Sequence, residues 1–365
     1  MEKKKLALAN FPGSKARFKI VSDLIEILEP ISDGLYVITS KEFKEAFSND
    51  NCELIGISHK KGKNPISRVI KFIFTQIKIA KCLTKNKQDF DTVIFGFGGF
   101  NLIIPVFLLK LYNKEVIIRM SIELGRSRSD FFSKILDKMA YINMLVADKI
   151  LEKSNRNKSK NTNLPFFSKI HVVEDHVIET NKFKKKKSYA ERENKIGYIG
   201  RFAEVKGIRN LVSGILLVDF NEELNFILGG DGKLKDQILS TIENENRIEY
   251  LGWIDHSNLP NRLNELKLLV IPSHSETGPR IALEAMACGT PVLGTKVGIL
   301  PELINEGENG FLLKNNEPET IADRIKEILQ RDDLETISEN ARKSVIGKYT
   351  EEKIRERYKE IIYDL

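Results

Sequence analysis

The first half of the chain alternates short apolar runs with amphipathic stretches. Residues 6–9, 35–39, 53–58, 92–95 and 116–119 read as strands, rich in Val, Ile, Leu and aromatics. After a Pro12-Gly13-Ser14 loop, Ile20, Val21, Leu24, Ile25 and Leu28 recur at the spacing of one helical face. Strands alternating with helices imply a parallel, doubly wound sheet. The longest apolar run, residues 102–109, predicts a buried helix. Residues 183–194, FKKKKSYAEREN, are charged and poor in apolar positions, and predict an interdomain linker. Beyond them, strands at 196–199, 224–228, 248–251, 268–271 and 292–293 alternate with helices again. The chain closes on YTEEKIRERYKEIIYDL, an amphipathic helix after Gly347. The pattern therefore predicts an α/β protein of two doubly wound domains, 1–185 and 186–345, with a terminal helix over 346–365.

A length of 365 residues suits two domains, and 41% hydrophobic residues suffice for two cores. No stretch approaches the roughly 20 apolar residues that cross a bilayer. The opening MEKKKLALANFPG has too short an apolar run for a signal peptide. The three cysteines, Cys52, Cys82 and Cys288, show no paired spacing, so neither a disulfide framework nor a zinc site is indicated. A cytoplasmic location is expected.

The net charge of +7 conceals a division. Residues 1–188 hold 35 Lys and Arg against 20 Asp and Glu, leaving 23 against 31 in the remainder. Such asymmetry suggests that the first half meets a polyanionic surface. No nucleic-acid module accompanies the charge. An anionic membrane, met from its inner face, is favoured over an acidic glycan, and a charge excess that merely aids solubility is the alternative. Residues 64–87 interleave Arg68, Lys71, Lys78, Lys81, Lys85 and Lys87 with Ile70, Ile73, Phe74, Ile77 and Ile79. This is either a basic amphipathic helix lying on lipid or a domain helix with its stripe in the core.

The densest chemistry lies at 269–314. The strand 268–271 runs into a polar loop, Pro279 stands where a helix can begin, and Gly289 with Pro291 stops that helix. Glu276 falls in the loop and Glu284 inside the helix. A helix N-terminus is an anion site, and two carboxylates beside it suit a ligand with both phosphate and hydroxyls, such as a sugar nucleotide. With Glu276, Glu284 and the run Ala285 to Val292, AMACGTPV, go three further segments: GYIGRFAEVKGIRNLV at 197–212, ILGGDGKLKDQI at 227–238 and IEYLGWID at 248–255. Together, in this order, they resemble the signature of the family-four retaining glycosyltransferases. The resemblance covers about residues 195–345 and implies the GT-B fold, two Rossmann-like domains facing a central donor cleft.

The resemblance implies roles residue by residue. Arg201 and Lys206 follow a strand end and would meet the donor diphosphate, where ligands of open parallel sheets bind. Glu284 would hold the ribose hydroxyls. Glu276 would face the sugar and its reacting carbon, and also suits capping of the helix. Backbone N–H groups of Gly278 to Ile281 would cradle the distal phosphate; Pro279 removes one donor there, and Arg280 either compensates with its charge or is a surface residue. Gly230 and the segment after Gly252 would line the base, with Trp253 and Ile254 contacting it or, for Trp253, simply filling core. In the first domain Gly13 would touch donor phosphate and acceptor. Relatives commonly place a histidine near the transferred sugar, but this chain has none between His59 and His171. His176 and His274 read as structural.

The expected activity is sugar transfer from a nucleoside diphosphate sugar to a glycan or lipid-linked acceptor, with retention and without a metal or other cofactor. A sugar-nucleotide epimerase of the same architecture is the alternative enzyme. A non-catalytic sugar-nucleotide-binding subunit is the other, motivated by the missing histidine.

Overall fold

The computed structural model describes residues 2–13, 18–47, 51–60, 62–120, 131–153, 155–160, 162–173, 176–217, 224–276 and 280–365. They form two compact units: residues 1–175 with 354–365, and residues 176–353.

The first unit runs β1 (Leu6–Ala9), α1 (Phe18–Leu28), β2 (Leu35–Ser40), α2 (Lys41–Ala46), β3 (Cys52–Ile57), α3 (Pro65–Lys85) and β4 (Thr92–Phe95). It continues through α4 (Ile103–Leu111), β5 (Glu115–Arg119), α5 (Phe131–Val146), β6 (Lys149–Glu152), α6 (Asn155–Lys160) and β7 (Ile170–Val172). Among the described residues the strands pair in parallel in the order β3-β2-β1-β4-β5-β6-β7. Each residue of β1 is fully buried, as helices on both faces of a parallel sheet require. Right-handed crossovers put α1 and α2 on one face, because the chain steps from β1 toward β3. The steps from β3 to β6 go the other way, so α3, α4 and α5 share the opposite face.

Two apolar stretches are only half in the core. In α3, Phe72, Ile79 and Leu83 are buried while Ile70, Ile73 and Phe74 face outward. In α4, Val106 and Leu109 are buried but Phe107 and Leu111 are exposed. The run at 102–109 is thus a helix with only one side in the core.

The second unit runs β8 (Lys195–Ile199), α7 (Ile208–Leu217), β9 (Asn225–Gly229), α8 (Lys235–Ile242), β10 (Ile248–Gly252) and α9 (Leu259–Glu265). It continues through β11 (Leu268–Ile271), α10 (Arg280–Ala287), β12 (Val292–Thr295), α11 (Leu300–Leu303), β13 (Phe311–Leu313), α12 (Pro318–Leu329) and α13 (Leu334–Tyr349). Its described strands pair in the order β10-β9-β8-β11-β12-β13. Two apolar clusters cover the sheet, one around Phe226, Val270 and Phe311, the other around Leu269, Met286 and Val292. Helix α10 stops as predicted, with the Thr290 N–H on the Ala285 carbonyl and the Gly289 N–H on that of Met286.

The segment 183–194 is not a solvated linker. It is a strap packed on the second unit, with Phe183 and Arg192 buried. Arg192 donates to the Leu266 and Cys288 carbonyls, each at 2.8 Å, and to Thr290 Oγ1 at 2.6 Å. Lys185 pairs with Glu335 at 2.6 Å and Glu339 at 2.5 Å. Charges that look solvated in the sequence are satisfied by tertiary partners, and the unit boundary falls earlier, at 175/176. The last helix, α14 (Glu351–Tyr363), starts after a break at Thr350, and residues 354–365 belong to the first unit. No described helix is long and apolar enough to cross a membrane.

Candidate active site

Strand order locates the site before any side chain does. In the second unit the chain steps outward from β8 to β10 and then returns to place β11 on the other side of β8. The crevice outside the carboxyl ends of β8 and β11 is therefore a topological switch point, where open α/β sheets bind ligands.

Two loops meet there. After β8, the chain passes Gly200, Arg201 and a short turn at Glu204–Lys206, then Gly207 at φ +66°. A Cβ on Gly207 would lie 1.9 Å from the Pro272 carbonyl oxygen. Only glycine permits both this backbone and this approach. The contact brings Lys206 beside the loop after β11, and the His274 N–H donates to the Val205 carbonyl at 2.9 Å. Lys206 Nζ forms an ion pair with Glu276 Oε1, and Ser273 Oγ donates to the same oxygen at 2.8 Å. The Glu276 side chain is 10% exposed and that of Lys206 24%. Arg201 is exposed; its carbonyl accepts from the Tyr198 hydroxyl at 2.9 Å. Burial, with the nearby Glu276 charge, pushes the Tyr198 hydroxyl up, so it remains a donor.

Glu284 is held differently. Its side chain is 5% exposed on α10, and His256 Nε2 lies 3.0 Å from its Oε1. Arg280 Nε approaches the same oxygen at 3.5 Å, and Arg280 also donates to the Val177 carbonyl at 3.3 Å. Arg280 thus turns toward Glu284 rather than standing as a free surface charge. Lys182 Nζ lies 2.6 Å from His256 Nδ1. An ammonium only donates, so Nδ1 is the acceptor and Nε2–H donates to Glu284. Both described contacts fall on one carboxylate oxygen.

The residues expected to line a base sit at the other strand ends. Gly230, at φ +136°, would carry a Cβ only 1.9 Å from the Gly200 carbonyl oxygen. Its N–H donates to the Gly252 carbonyl at 2.7 Å, which draws the ends of β8, β9 and β10 together. Trp253 is 76% exposed and so is not core. Ile254 packs beneath Gly229, and Ile281 is partly buried against the same cluster. Gly278 and Pro279 lie outside the described residues.

Gly13 belongs to the first unit. It follows β1 at that sheet's own switch point, where Asn10 Oδ1 accepts from the Phe97 N–H at 2.9 Å and anchors the glycine-rich turn after β4. His274 has Asn316 Nδ2 at 3.1 Å. Sequence reasoning missed Ser273, His256 and Lys182. Ser273 lies three residues from Glu276 and was within reach of a local reading; His256 and Lys182 meet Glu284 only through the fold.

Residues 179–344 match the Glycosyl transferases group 1 family. The chain is 31% identical over 191 residues to the N-acetyl-alpha-D-glucosaminyl L-malate synthase of Bacillus anthracis, covering 51% of this chain and 50% of that protein. It is 27% identical over 218 residues to the capsular polysaccharide biosynthesis glycosyltransferase CapM of Staphylococcus aureus, covering 55% of each. The chain thus spans about half the length of the curated relatives it matches. Anabaena HepE, solved in complex with UDP, has a TM-score of 0.77 at 18% identity, covering 99% of this chain and 100% of that one. That likeness concerns the fold, the paired Rossmann-like domains of the GT-B class. The two glutamates, Lys206 and the glycine turns of the second unit all lie within the residues 179–344 that match the Glycosyl transferases group 1 family.

Proposed function

We propose that this protein transfers a sugar from a nucleoside diphosphate sugar to a glycan or lipid-linked acceptor, with retention of configuration and without a metal. The observation that carries the reading is the Lys206–Glu276–Ser273 cluster at the switch point of the second sheet. Glu284, steadied by His256 and Arg280 on one oxygen, keeps the other for the ribose hydroxyls. Gly230, Trp253 and Ile254 flank the base. The names of the relatives favour a cell-envelope polysaccharide or a glycoside as the product class, and UDP, held by HepE, is the first nucleotide to try.

The chemistry follows from charge. The bond between the anomeric carbon and the diphosphate oxygen breaks, and that oxygen takes up negative charge. Lys206, Arg201 and the N–H groups opening α10, at Arg280 and Ile281, stabilise it where it develops. The acceptor hydroxyl attacks from the face the diphosphate leaves and passes its proton to the departing diphosphate oxygen. Glu276, at the sugar end of the cluster, orients the ring. Positive side chains thus supply the charge that a divalent ion would otherwise bring. The protein would work in the cytoplasm, with peripheral contact to an anionic membrane through its basic first half.

Thermal stabilisation of the purified chain across a panel of nucleotide sugars tests the binding step, because a ligand that binds only the folded state raises the melting point. Stabilisation by one diphosphate sugar, followed by acceptor-dependent transfer that survives a chelator, is the expected result. No stabilisation by any member would overturn the reading. Epimerisation or hydrolysis without an acceptor would replace it with the epimerase.

A further inference from the structure

Among the described residues, most of the large apolar side chains left in solvent sit on three neighbouring helices of the first unit. Helix α4 packs between α3 and α5 on one face of the sheet. Outward from α3 point Ile66, 72% exposed, and Phe74, 60% exposed; from α4, Leu111, 77% exposed. The C-terminal half of α5 adds Ile142 and Leu145. Scattered exposed apolar residues need no explanation, but a run of them across adjacent helices marks an interaction surface.

The charge on the same helices is one-sided. Helix α3 has no Asp or Glu and carries Arg68, Lys71, Lys78, Lys81 and Lys85. Helix α4 has no acid either, and α5 has Asp137 alone against Lys134 and Lys138. The opposite face of the sheet is an internal comparison. There α1 and α2 mix Lys19, Lys41 and Lys44 with Asp23, Glu26, Glu42 and Glu45. A general excess of solubilising charge would not concentrate on the face that also exposes apolar residues.

We infer that α3, α4 and the C-terminal half of α5 form a docking face for an anionic lipid bilayer, with the helices lying along its surface. The inference rests on, and localises, the membrane contact proposed above. A bilayer surface satisfies both halves of the pattern. Apolar side chains enter the boundary with the acyl chains, and lysines stay among anionic headgroups. A second copy of the chain would cover the apolar residues only by facing lysines with lysines. A nucleic acid would meet the lysines and leave Ile66, Ile142 and Leu145 in water.

Co-sedimentation of the full chain with vesicles of phosphatidylcholine, with and without phosphatidylglycerol, tests this. Binding should require phosphatidylglycerol and weaken as salt rises. Lys78→Ala with Lys81→Ala should lower the partition coefficient about 30-fold, as each basic residue near an anionic surface contributes about 1 kcal/mol. Ile70→Ser with Phe74→Ser should abolish sedimentation at the same protein concentration. These positions are exposed, so unchanged melting points verify that both variants fold. Equal binding to neutral vesicles, or wild-type binding by both variants, would overturn the inference. So would a dimer, seen by sedimentation velocity, that the Ile70/Phe74 variant dissociates. No vesicle arm contains a nucleotide, so failure of the donor assignment would leave these results unchanged.

Discussion

Lys206 and Glu276 are separated by much of a domain in sequence and share one carboxylate oxygen with Ser273 in the fold. The proposed transfer gives Glu276 the sugar and Glu284 the ribose, a difference that is measurable. Glu276→Gln should lower turnover while sparing nucleoside diphosphate affinity, the mark of an interaction made mainly in the transition state. Glu284→Ala should weaken the whole nucleotide. His256→Ala should weaken it about fivefold, the worth of one hydrogen bond, and add nothing in a Glu284→Ala background. A His256 effect that persists without Glu284 would show that the histidine acts on something else. Glu276, Glu284, Arg201 and Lys206 stood out through the motifs that resemble those of the family-four retaining glycosyltransferases, and the fold carries them on the segments that follow β8 and β11. His256 and Lys182 did not stand out, since nothing in GWIDHSN marks a histidine that will meet a glutamate on another element. Trp253 misleads through its size. It follows the edge strand β10, whose end has a neighbour on one side only, and it stays in solvent.

At the scale of elements, the strap 183–194 shows why composition misjudges a charged stretch. Lys185 looks solvated because its partners, Glu335 and Glu339, lie on α13 far along the chain. Arg192 reads as one more surface charge, yet three buried acceptors depend on it. Arg192→Ala should therefore cost about 3 kcal/mol, the scale of leaving buried partners of a charged group unsatisfied. In a unit of this size that lowers the melting point by roughly 6–12 °C. A calorimetric shift below about 2 °C, the scale of surface substitutions, would show the strap to be loosely held. Burial pushes the neighbouring Cys288 thiol up to about 12, so alkylation of that cysteine should require unfolding, and faster labelling in the Arg192 variant reports the same loosening. Most strands were predicted within a residue. β6, β7 and β13 were not: β7 and β13 have three residues, too few to show a period, and Lys149 and Glu152 leave β6 only two apolar ones.

In the whole molecule, the chain's end is tied into the first unit. Lys4 Nζ donates to the Ile362 carbonyl at 2.8 Å and Lys149 Nζ to the Ile361 carbonyl at 2.7 Å, so two cations cap the last turn of α14. Both also pair with Glu115, at 2.8 and 2.9 Å. Burial pushes the Glu115 carboxyl up, but hydrogen bonds from Lys4, Thr92 and Lys149 outweigh it and hold the group below its usual range. A depressed carboxylate contributes stability that is complete above the unfolded value, about 4.3, and is lost as pH falls through the folded value. Wild type should thus melt above Glu115→Gln at neutral pH, with the gap closing as pH drops below about 4. A gap independent of pH would place the effect in packing instead. The amphipathic character of the last helix was legible in the sequence; its anchors, Lys4 and Lys149, were hidden among many lysines.

The proposed function requires the cluster after β8 and β11 to grip a diphosphate. Calorimetric titration of Lys206→Ala with UDP and with uridine tests it most directly. A hydrogen bond to a charged group contributes about 1.5–3 kcal/mol, so UDP affinity should fall about 10- to 150-fold while uridine affinity stays unchanged. Equal losses for both ligands, or none for UDP, would contradict the account.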